Sequence, residues 1–332
     1  MYIKSVIKTV AKFTIVAGLF AWMIASDRLN LGELRIFVER PEISLYNFLL
    51  WAIGPVLLGS LRWRILLQGA GYHLSWARAA VLQVVGFFFS SAMPGSVGGD
   101  VIKAFYIVKD NPSQGKTAAM MTVVMDRILG MCGLFLMGYC VLLFAGRTLL
   151  DVPAVRTQFM LMTAVTTGII FFLVTFMYPH KDGRDPFLRL LGMEFTGAAI
   201  LRKIYLAFRV FHDKKSAILT CILLSFIVQF MGFFLFAYIA KVMLGFDDNA
   251  ALAIFYPVGI LTTALPLAPG GIGVGHMAFD RLFHIVGVKG GADVFNVFVL
   301  GQLSLNLLGF IPYLFLRRTA GMPVTTAQLE LS

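Results

Sequence analysis

Charge is scarce in this sequence. Only 14% of its 332 residues are Asp, Glu, Lys or Arg, against about a quarter in an ordinary soluble domain. The apolar share is already 59% before 32 glycines are counted. A chain of this length cannot hide so much apolar surface in one core, which excludes a soluble enzyme. Cysteine is nearly missing as well. Cys132, Cys140 and Cys221 stand singly in apolar runs, without paired or metal-ligand spacing, so neither a disulfide scaffold nor a zinc site is expected. There is no nucleotide-binding loop, no paired metal-binding His and no Ser-centred elbow. No extramembrane stretch is large enough for a catalytic domain. No catalytic residue, metal or cofactor is therefore expected, and the chain is not expected to be an enzyme. Acidic residues number 17 against 28 basic ones, a net charge of +11. On a soluble chain that excess would point to nucleic acid. On so apolar a chain it marks loops held at an anionic cytoplasmic membrane face, and no nucleic-acid partner is expected.

What the sequence has is long apolar runs. Crossing a bilayer takes about 20 mainly apolar residues. The runs fall at 10–26, 45–61, 80–106, 117–145, 157–178, 217–240, 250–287 and 292–316. Lys4, Lys8 and Lys12 precede the first, which therefore starts at the cytoplasmic side; Met23-Ile24-Ala25 is a weak cleavage signal, and the segment reads as a span. Two runs are broken in the middle by Pro and Gly. Interrupted backbone at membrane depth is tolerated only where protein or a wet cavity surrounds it, so each broken run reads as a re-entrant hairpin. Lys/Arg placement agrees with this. With two hairpins the inside holds 19 and the outside 8, whereas eight full crossings give 11 and 16.

The two breaks match. Pro94-Gly95-Ser96-Val97-Gly98 aligns with Pro269-Gly270-Gly271-Ile272-Gly273 at an offset of 175. A span precedes and another follows each break, which predicts an inverted repeat. Paired Gly/Pro-interrupted segments point to a transporter's central site. The expected architecture is one all-α polytopic integral membrane domain over 1–332, with about six transmembrane helices and two oppositely oriented re-entrant hairpins. The half-repeats are 45–145 and 217–316. Residues 179–216 form a cytoplasmic amphipathic linker, its apolar stripe of Ile200, Leu201, Ile204, Phe208 and Phe211 lying on the anionic membrane face.

Glycines permit close backbone approach and positive φ, so Gly95, Gly98 and Gly99, and Gly270, Gly271 and Gly273, are candidates for N–H nests that cradle a lipid phosphate. Pro94, Ser96 and Pro269 complete the two loops. Asp100 and Lys103 share one face of the following half-helix. Capping of the helix by Asp100 and contact with substrate both fit. Asp126 and Arg127 lie near mid-membrane, where charge is costly and faces protein or a cavity. Asp126 is expected to face the Pro94 loop, either as a structural bridge or handling a headgroup or proton. His276 and Asp280 are one turn apart and suited to coupling a proton. Gln229, Gln302 and Asn306 are mid-span polar residues whose ordinary role is to join helices.

The run PGSVGGDVIKAFYI, Asp126-Arg127 and the run PLAPGGIGVGHMAF together resemble the flippase-like family typified by the membrane portion of lysylphosphatidylglycerol synthases. The resemblance spans roughly residues 10–318. It implies a multi-pass protein of the bacterial cytoplasmic (inner) membrane, both termini inside, moving lipids or lipid-linked carriers between leaflets. Lys103 replaces a frequent Arg and Asp126 a frequent Glu, both preserving charge; Gly275-His276 replaces a frequent Arg-Glu, so the resemblance does not carry over the same headgroup. The synthase's aminoacyl-transfer domain is absent from this sequence. The expected function is lipid translocation, with membrane lipids as partners, either an anionic phospholipid or a polyprenyl-linked headgroup. The alternative is a non-transporting subunit that presents lipid to a partner glycosyl- or aminoacyl-transferase.

Overall fold

A computed structural model describes residues 31–92, 98–111, 116–145, 153–177, 208–263 and 271–320, together with positions 188, 202, 205 and 206. Among these residues the secondary structure is helical, without strands. Five helices are long and apolar enough to cross a membrane: α1 (Pro41–Gly69), α4 (Lys116–Ala145), α5 (Pro153–Met177), α6 (Lys215–Leu244) and α9 (Gly291–Leu316). The broken runs each give two shorter helices. These are α2 (Trp76–Ala92) with α3 (Gly98–Asp110), and α7 (Asn249–Thr263) with α8 (Val274–Ile285). The chain is an all-α polytopic membrane protein. The first expected span, 10–26, lies outside the described residues.

Local sequence explains where helices bend or begin. Pro55 cannot donate a backbone hydrogen bond, and α1 relaxes around it into π-helix over Ala52–Leu58. In α9 a 3-10 stretch, Leu307–Gly309, precedes Pro312 for the same reason. Asp248 starts α7 by accepting from the N–H groups of Ala250 and Ala251, both at 3.0 Å. α6 ends in Gly245, whose φ of +65° is easy only for glycine.

Side-chain ladders fix the direction of the short helices. Arg78 pairs with Asp110 at 2.9 Å, Lys103 donates to Gln83 at 3.0 Å, and Gly86 lies against Gly99. α2 and α3 thus form an antiparallel hairpin. Its mouth lies at the end of the bundle where α1 finishes and α4 begins, joined by connections of a few residues. Lys214, just before α6, donates to the Gly69 carbonyl, so α6 starts at that end too. α7 and α8 form a second antiparallel hairpin, with Gly259 against the Phe279 ring and Thr263 against Gly271 and Gly275. Its mouth lies at the opposite end, where Gly290 packs on Leu244. The hairpins therefore open at opposite ends of one bundle.

Small residues let the long helices approach closely. A Cβ on Gly133 of α4 would stand 2.5 Å from the Ser225 Cβ and 2.6 Å from the Phe226 nitrogen of α6. One on Gly138 would meet the Ala253 carbonyl of α7 at 2.7 Å. Phe236, Phe279, Phe283 and Phe295 fill the larger core around α6, α8 and α9. Of the linker's apolar stripe, Phe208 and Phe211 are described. They are buried with Leu66, Met125, Leu173 and Cys221, so these two rings seat the linker on protein rather than on the membrane face. Ile200, Leu201 and Ile204 lie outside the described residues. Gly133→Ala should lower the melting temperature in detergent by an amount corresponding to about 1–3 kcal/mol of overpacking. Gly168→Ala, at a position with nothing within 4 Å, should not. Equal melting temperatures for the two variants would refute the α4–α6 contact.

Candidate functional site

α4 carries Asp126 and Arg127 side by side, and adjacent helical residues point about 100° apart. Each meets a different partner. Asp126 receives two hydrogen bonds from Arg62 of α1, Nε to Oδ1 at 2.7 Å and a terminal nitrogen to Oδ2 at 3.0 Å. The other terminal nitrogen of Arg62 donates to Ser225 of α6 at 2.8 Å, and Ser225 donates onward to the Cys221 carbonyl at 2.8 Å. Side-chain exposure is 12% for Arg62 and 8% for Asp126. This is a one-to-one, forked ion pair that ties three long helices together. Asp126 thus pairs with α1; the Pro94 loop, which it was expected to face, lies outside the described residues. An acid at this depth is tolerated because a guanidinium on the next span neutralises it and occupies both of its oxygens.

Arg127 turns the other way and reaches the first hairpin, pairing through Nε with Asp100 of α3. Asp100 also faces Lys103 at 3.3 Å. Lys103 is buried, donates to Gln83 at 3.0 Å and stands 4.7 Å over the Trp63 ring, a cation–π contact with α1. So Asp100, Lys103 and Arg127 come together, with Gln83 and Trp63 around them, inside the root of the hairpin. Two cations share one carboxylate there.

The glycines divide by role. A Cβ on Gly99 would lie 1.9 Å from the Gly86 carbonyl oxygen, so Gly99 is a helix-contact residue that lets α3 touch α2. Gly98 is buried at the start of α3. Pro94, Gly95 and Ser96 lie outside the described residues, as do Pro269 and Gly270. On the second hairpin Gly271 and Gly273 take φ of +71° and +86°. The Gly273 N–H is engaged, donating to His276 Nδ1 at 3.2 Å, and so cannot also hold a phosphate as the cradle expectation required.

His276 pairs with neither Asp280 nor any other acid on its own helix. Its Nδ1 accepts from Gly273, which leaves Nε2–H to donate to Asn296 Oδ1 at 3.1 Å. Asn296 Nδ2 donates to Glu33 at 2.7 Å. Asp280 is half-buried one turn along the same face of α8. The second hairpin thus holds a neutral hydrogen-bonded chain rather than an ionic cluster. The two sets of candidates do not meet among the described residues. On α9, Asn296 marks the second hairpin, and Asn306, donating to Ser91 at 3.1 Å, marks the tip of the first. Ten helical residues separate them, roughly 15 Å.

The mid-span amides join helices as expected. Gln302 donates to Asn47 at 2.8 Å, Trp51 donates to Asn306 at 3.0 Å, and Gln229 reaches the Gly130 carbonyl at 3.5 Å. Sequence reasoning missed Arg62, Ser225, Gln83, Trp63, Glu33 and Asn296. Arg62 had a usable signal: the helical pattern that contains 45–61 runs without a break to the Gly69-Ala70-Gly71 stop.

Two predictions follow from this geometry. Arg62→Met or Asp126→Leu alone leaves one buried charge unpaired and should cost about 3–5 kcal/mol of stability. The double variant should recover most of that loss in thermal unfolding; a double variant no better than either single would show that the two charges do not neutralise each other. The second concerns Glu33, outside the spans. Burial raises its carboxyl above the ordinary value of 4.5; the Asn296 bond opposes this, and nearby Asp293 adds to it. The ionised form is then less favoured in the folded protein than in the unfolded chain. Its stability contribution is full below pH 4.5 and is lost as pH rises through the higher folded value. Glu33→Gln keeps an acceptor for Asn296, so it should melt higher than the parent at neutral pH. The gap should close on acidification, and a gap that widens would refute the assignment.

Comparison with known proteins places this geometry in a family. A UPF0104 membrane protein of Pyrococcus horikoshii is 22% identical over 251 residues, covering 70% of this chain and 74% of that protein. One from Methanothermobacter thermautotrophicus is 24% identical over 280 residues, 76% of each chain. A third, from Methanocaldococcus jannaschii, is 27% identical over 145 residues, or 42% of this chain and 41% of the relative. No solved structure matches. The family described as the lysylphosphatidylglycerol synthase TM region matches residues 9–300, nearly the whole bundle, and the chain belongs to that family.

Proposed function

We propose that this protein is a flippase-like lipid translocase, moving a phospholipid or lipid-linked carrier across the cytoplasmic membrane. The observation that carries this reading is the pair of helical hairpins opening at opposite ends of one bundle, the first with a buried charged cluster at its root. Alternating access needs two gates of opposite direction, and hairpins of interrupted helix suit that task. In this reading both hairpins are re-entrant, and the halves 45–145 and 217–316 form an inverted repeat. The end bearing Gly69, Lys116 and Lys215 faces the cytoplasm, as do both termini. The relatives named above are archaeal, so the reading is framed for a prokaryotic cytoplasmic membrane rather than for a bacterial one.

The ligand in this reading is an anionic phospholipid or polyprenyl-linked headgroup. Lys103 and Arg127 supply positive charge where lipid cannot, and Asp100 sets how much of it is available. The headgroup moves through the bundle while its acyl chains stay in the bilayer. The link to lipid is supported by the family, whose description names a lipid synthase's membrane region. In this reading the protein binds and shields the headgroup and makes no covalent change to the lipid.

Purified protein in liposomes is expected to accelerate exchange of fluorescent phosphatidylglycerol between leaflets, and Lys103→Met is expected to slow it several-fold. Exchange at the rate of protein-free liposomes would overturn the reading. Lipid modification appearing only when a transferase is added would replace it with the subunit reading. The topology has its own check. Single cysteines replacing Asn111 or Ser216 should react with a membrane-impermeant maleimide only from the cytoplasmic side, and one replacing Asp247 only from outside. Reaction of the Ser216 variant from outside would reverse the orientation.

A further inference from the structure

The two ionic clusters on α4 are built differently. Arg62 and Asp126 match one to one, both oxygens of the acid are taken, and the spare guanidinium nitrogen goes to Ser225. Nothing in that pair is left to exchange. In the second cluster a single carboxylate stands between two cations on two helices, Lys103 of α3 and Arg127 of α4. Side-chain exposure rises from 6% at Lys103 through 14% at Asp100 to 35% at Arg127, so the cluster is open on the Arg127 side. Gln83 and the Trp63 ring hold Lys103 in place without adding negative charge.

We infer that Asp100 is a tethered stand-in for a phosphate, occupying between Lys103 and Arg127 the place that an anionic phosphate group takes when ligand binds. A carboxylate presents two oxygens and one charge. A phosphate monoester or diester presents as many oxygens or more, and it is not tied to a helix. When it enters, Asp100 gives up Arg127, whose long side chain already reaches the open side of the cluster. Lys103, packed on Trp63 and bonded to Gln83, stays. The device explains why two cations are tolerated at membrane depth with no ligand bound: the protein brings its own anion. It also makes the site selective. A headgroup without a phosphate does not replace the charge that Asp100 withdraws, whereas one that carries a phosphate does. The inference rests on the translocase reading only for the source of the phosphate, a lipid headgroup.

Occupancy by an internal competitor lowers apparent affinity by the fraction of time that the site is open. Asp100→Asn removes the competitor's charge while keeping its shape. The full-length protein in detergent is titrated with short-chain phosphatidylglycerol, with inorganic phosphate and with the matching phosphate-free diacylglycerol. Asp100→Asn is expected to bind phosphatidylglycerol on the order of tenfold more tightly than the parent. Arg127→Gln should bind more weakly, and the double variant should lose the gain. Diacylglycerol binding should be the same in all of them. A gain for inorganic phosphate equal to that for the lipid keeps the stand-in but overturns the lipid as its source. Asp100→Ser is the second neutral variant. Unchanged or weaker phosphatidylglycerol binding in either folded neutral variant overturns the inference, and so does failure of both to fold, because the carboxylate is then a counter-ion that the fold requires. Leaflet exchange is measured on the same preparations. Tighter binding without exchange in parent or variant leaves the stand-in in place and removes the translocase; exchange by the parent without tighter binding in the variant does the reverse.

Discussion

A bilayer offers no hydrogen bonds, so every charge and every interrupted turn in this chain has to be satisfied by the chain itself. That constraint organises the bundle. α4 meets it twice at adjacent residues: Asp126 turns to Arg62 of α1, and Arg127 turns to Asp100 of α3. Through these two side chains the long-helix frame and the first hairpin are fixed to the same helix at the same depth. α9 meets it with amides instead, bonding Asn47, Trp51 and Ser91 through Gln302 and Asn306. The helices pack no more closely than their small residues allow. Gly99 against Gly86, Gly309 against Val84 and Gly133 against Ser225 mark such close approaches.

Much of this fold was legible in the sequence because lipid leaves few alternatives. Apolar runs of about 20 residues have to be helices. A Pro-Gly-Gly break inside one of them has to be sheltered. The five described spans therefore fall where the runs lie, and each broken run resolves into two short helices meeting at its glycines. The opposite facing of Asp126 and Arg127 was also readable, since helical geometry alone separates neighbours. Partners were not. Arg62 lies one residue beyond the apolar run 45–61 and was counted among loop cations; α1 in fact continues to Gly69, which carries Arg62 into the bundle. Ser225 and Asn296 look like any small polar residue in an apolar segment. Only the crossing of α6 with α1, and of α9 with α8, gives them a role. The His276–Asp280 pairing failed for a related reason. Spacing of four places two residues on one face, but a competing backbone N–H one turn back, freed by the positive φ of Gly273, took the imidazole first.

The hairpins share geometry without sharing chemistry. The first is held by charge: Arg78 to Asp110 at its mouth, then Lys103, Asp100 and Arg127 at its root. The second is held by rings and neutral hydrogen bonds. Phe279 stacks on Phe295 at 5.0 Å, and Gly273, His276, Asn296 and Glu33 form one donor-to-acceptor chain. Two hairpins of opposite direction with different linings are not interchangeable halves. A charged group meets a paired ionic cluster at the root of the first, whereas the corresponding part of the second offers the imidazole of His276 and the amide of Asn296.

This asymmetry fixes which contacts a moving hairpin has to break. Arg62, Asp126 and Ser225 lie on α1, α4 and α6, so their network stays intact whichever hairpin shifts. Lys103, Asp100 and Gln83 travel together, since all three sit on α2 and α3. The ionic tie between that hairpin and the frame is then Arg127 to Asp100, joined by the ring contact of Lys103 with Trp63. A shear of α3 along α4 by one turn, about 5.4 Å, separates the first and slides Lys103 off the ring. Such a shift breaks an ion pair whose cation is partly exposed and leaves the buried pair beside it intact. Placing the two pairs on consecutive residues of a single helix gives the frame and the first hairpin separate ionic ties at one depth, so that the second can be exchanged without disturbing the first.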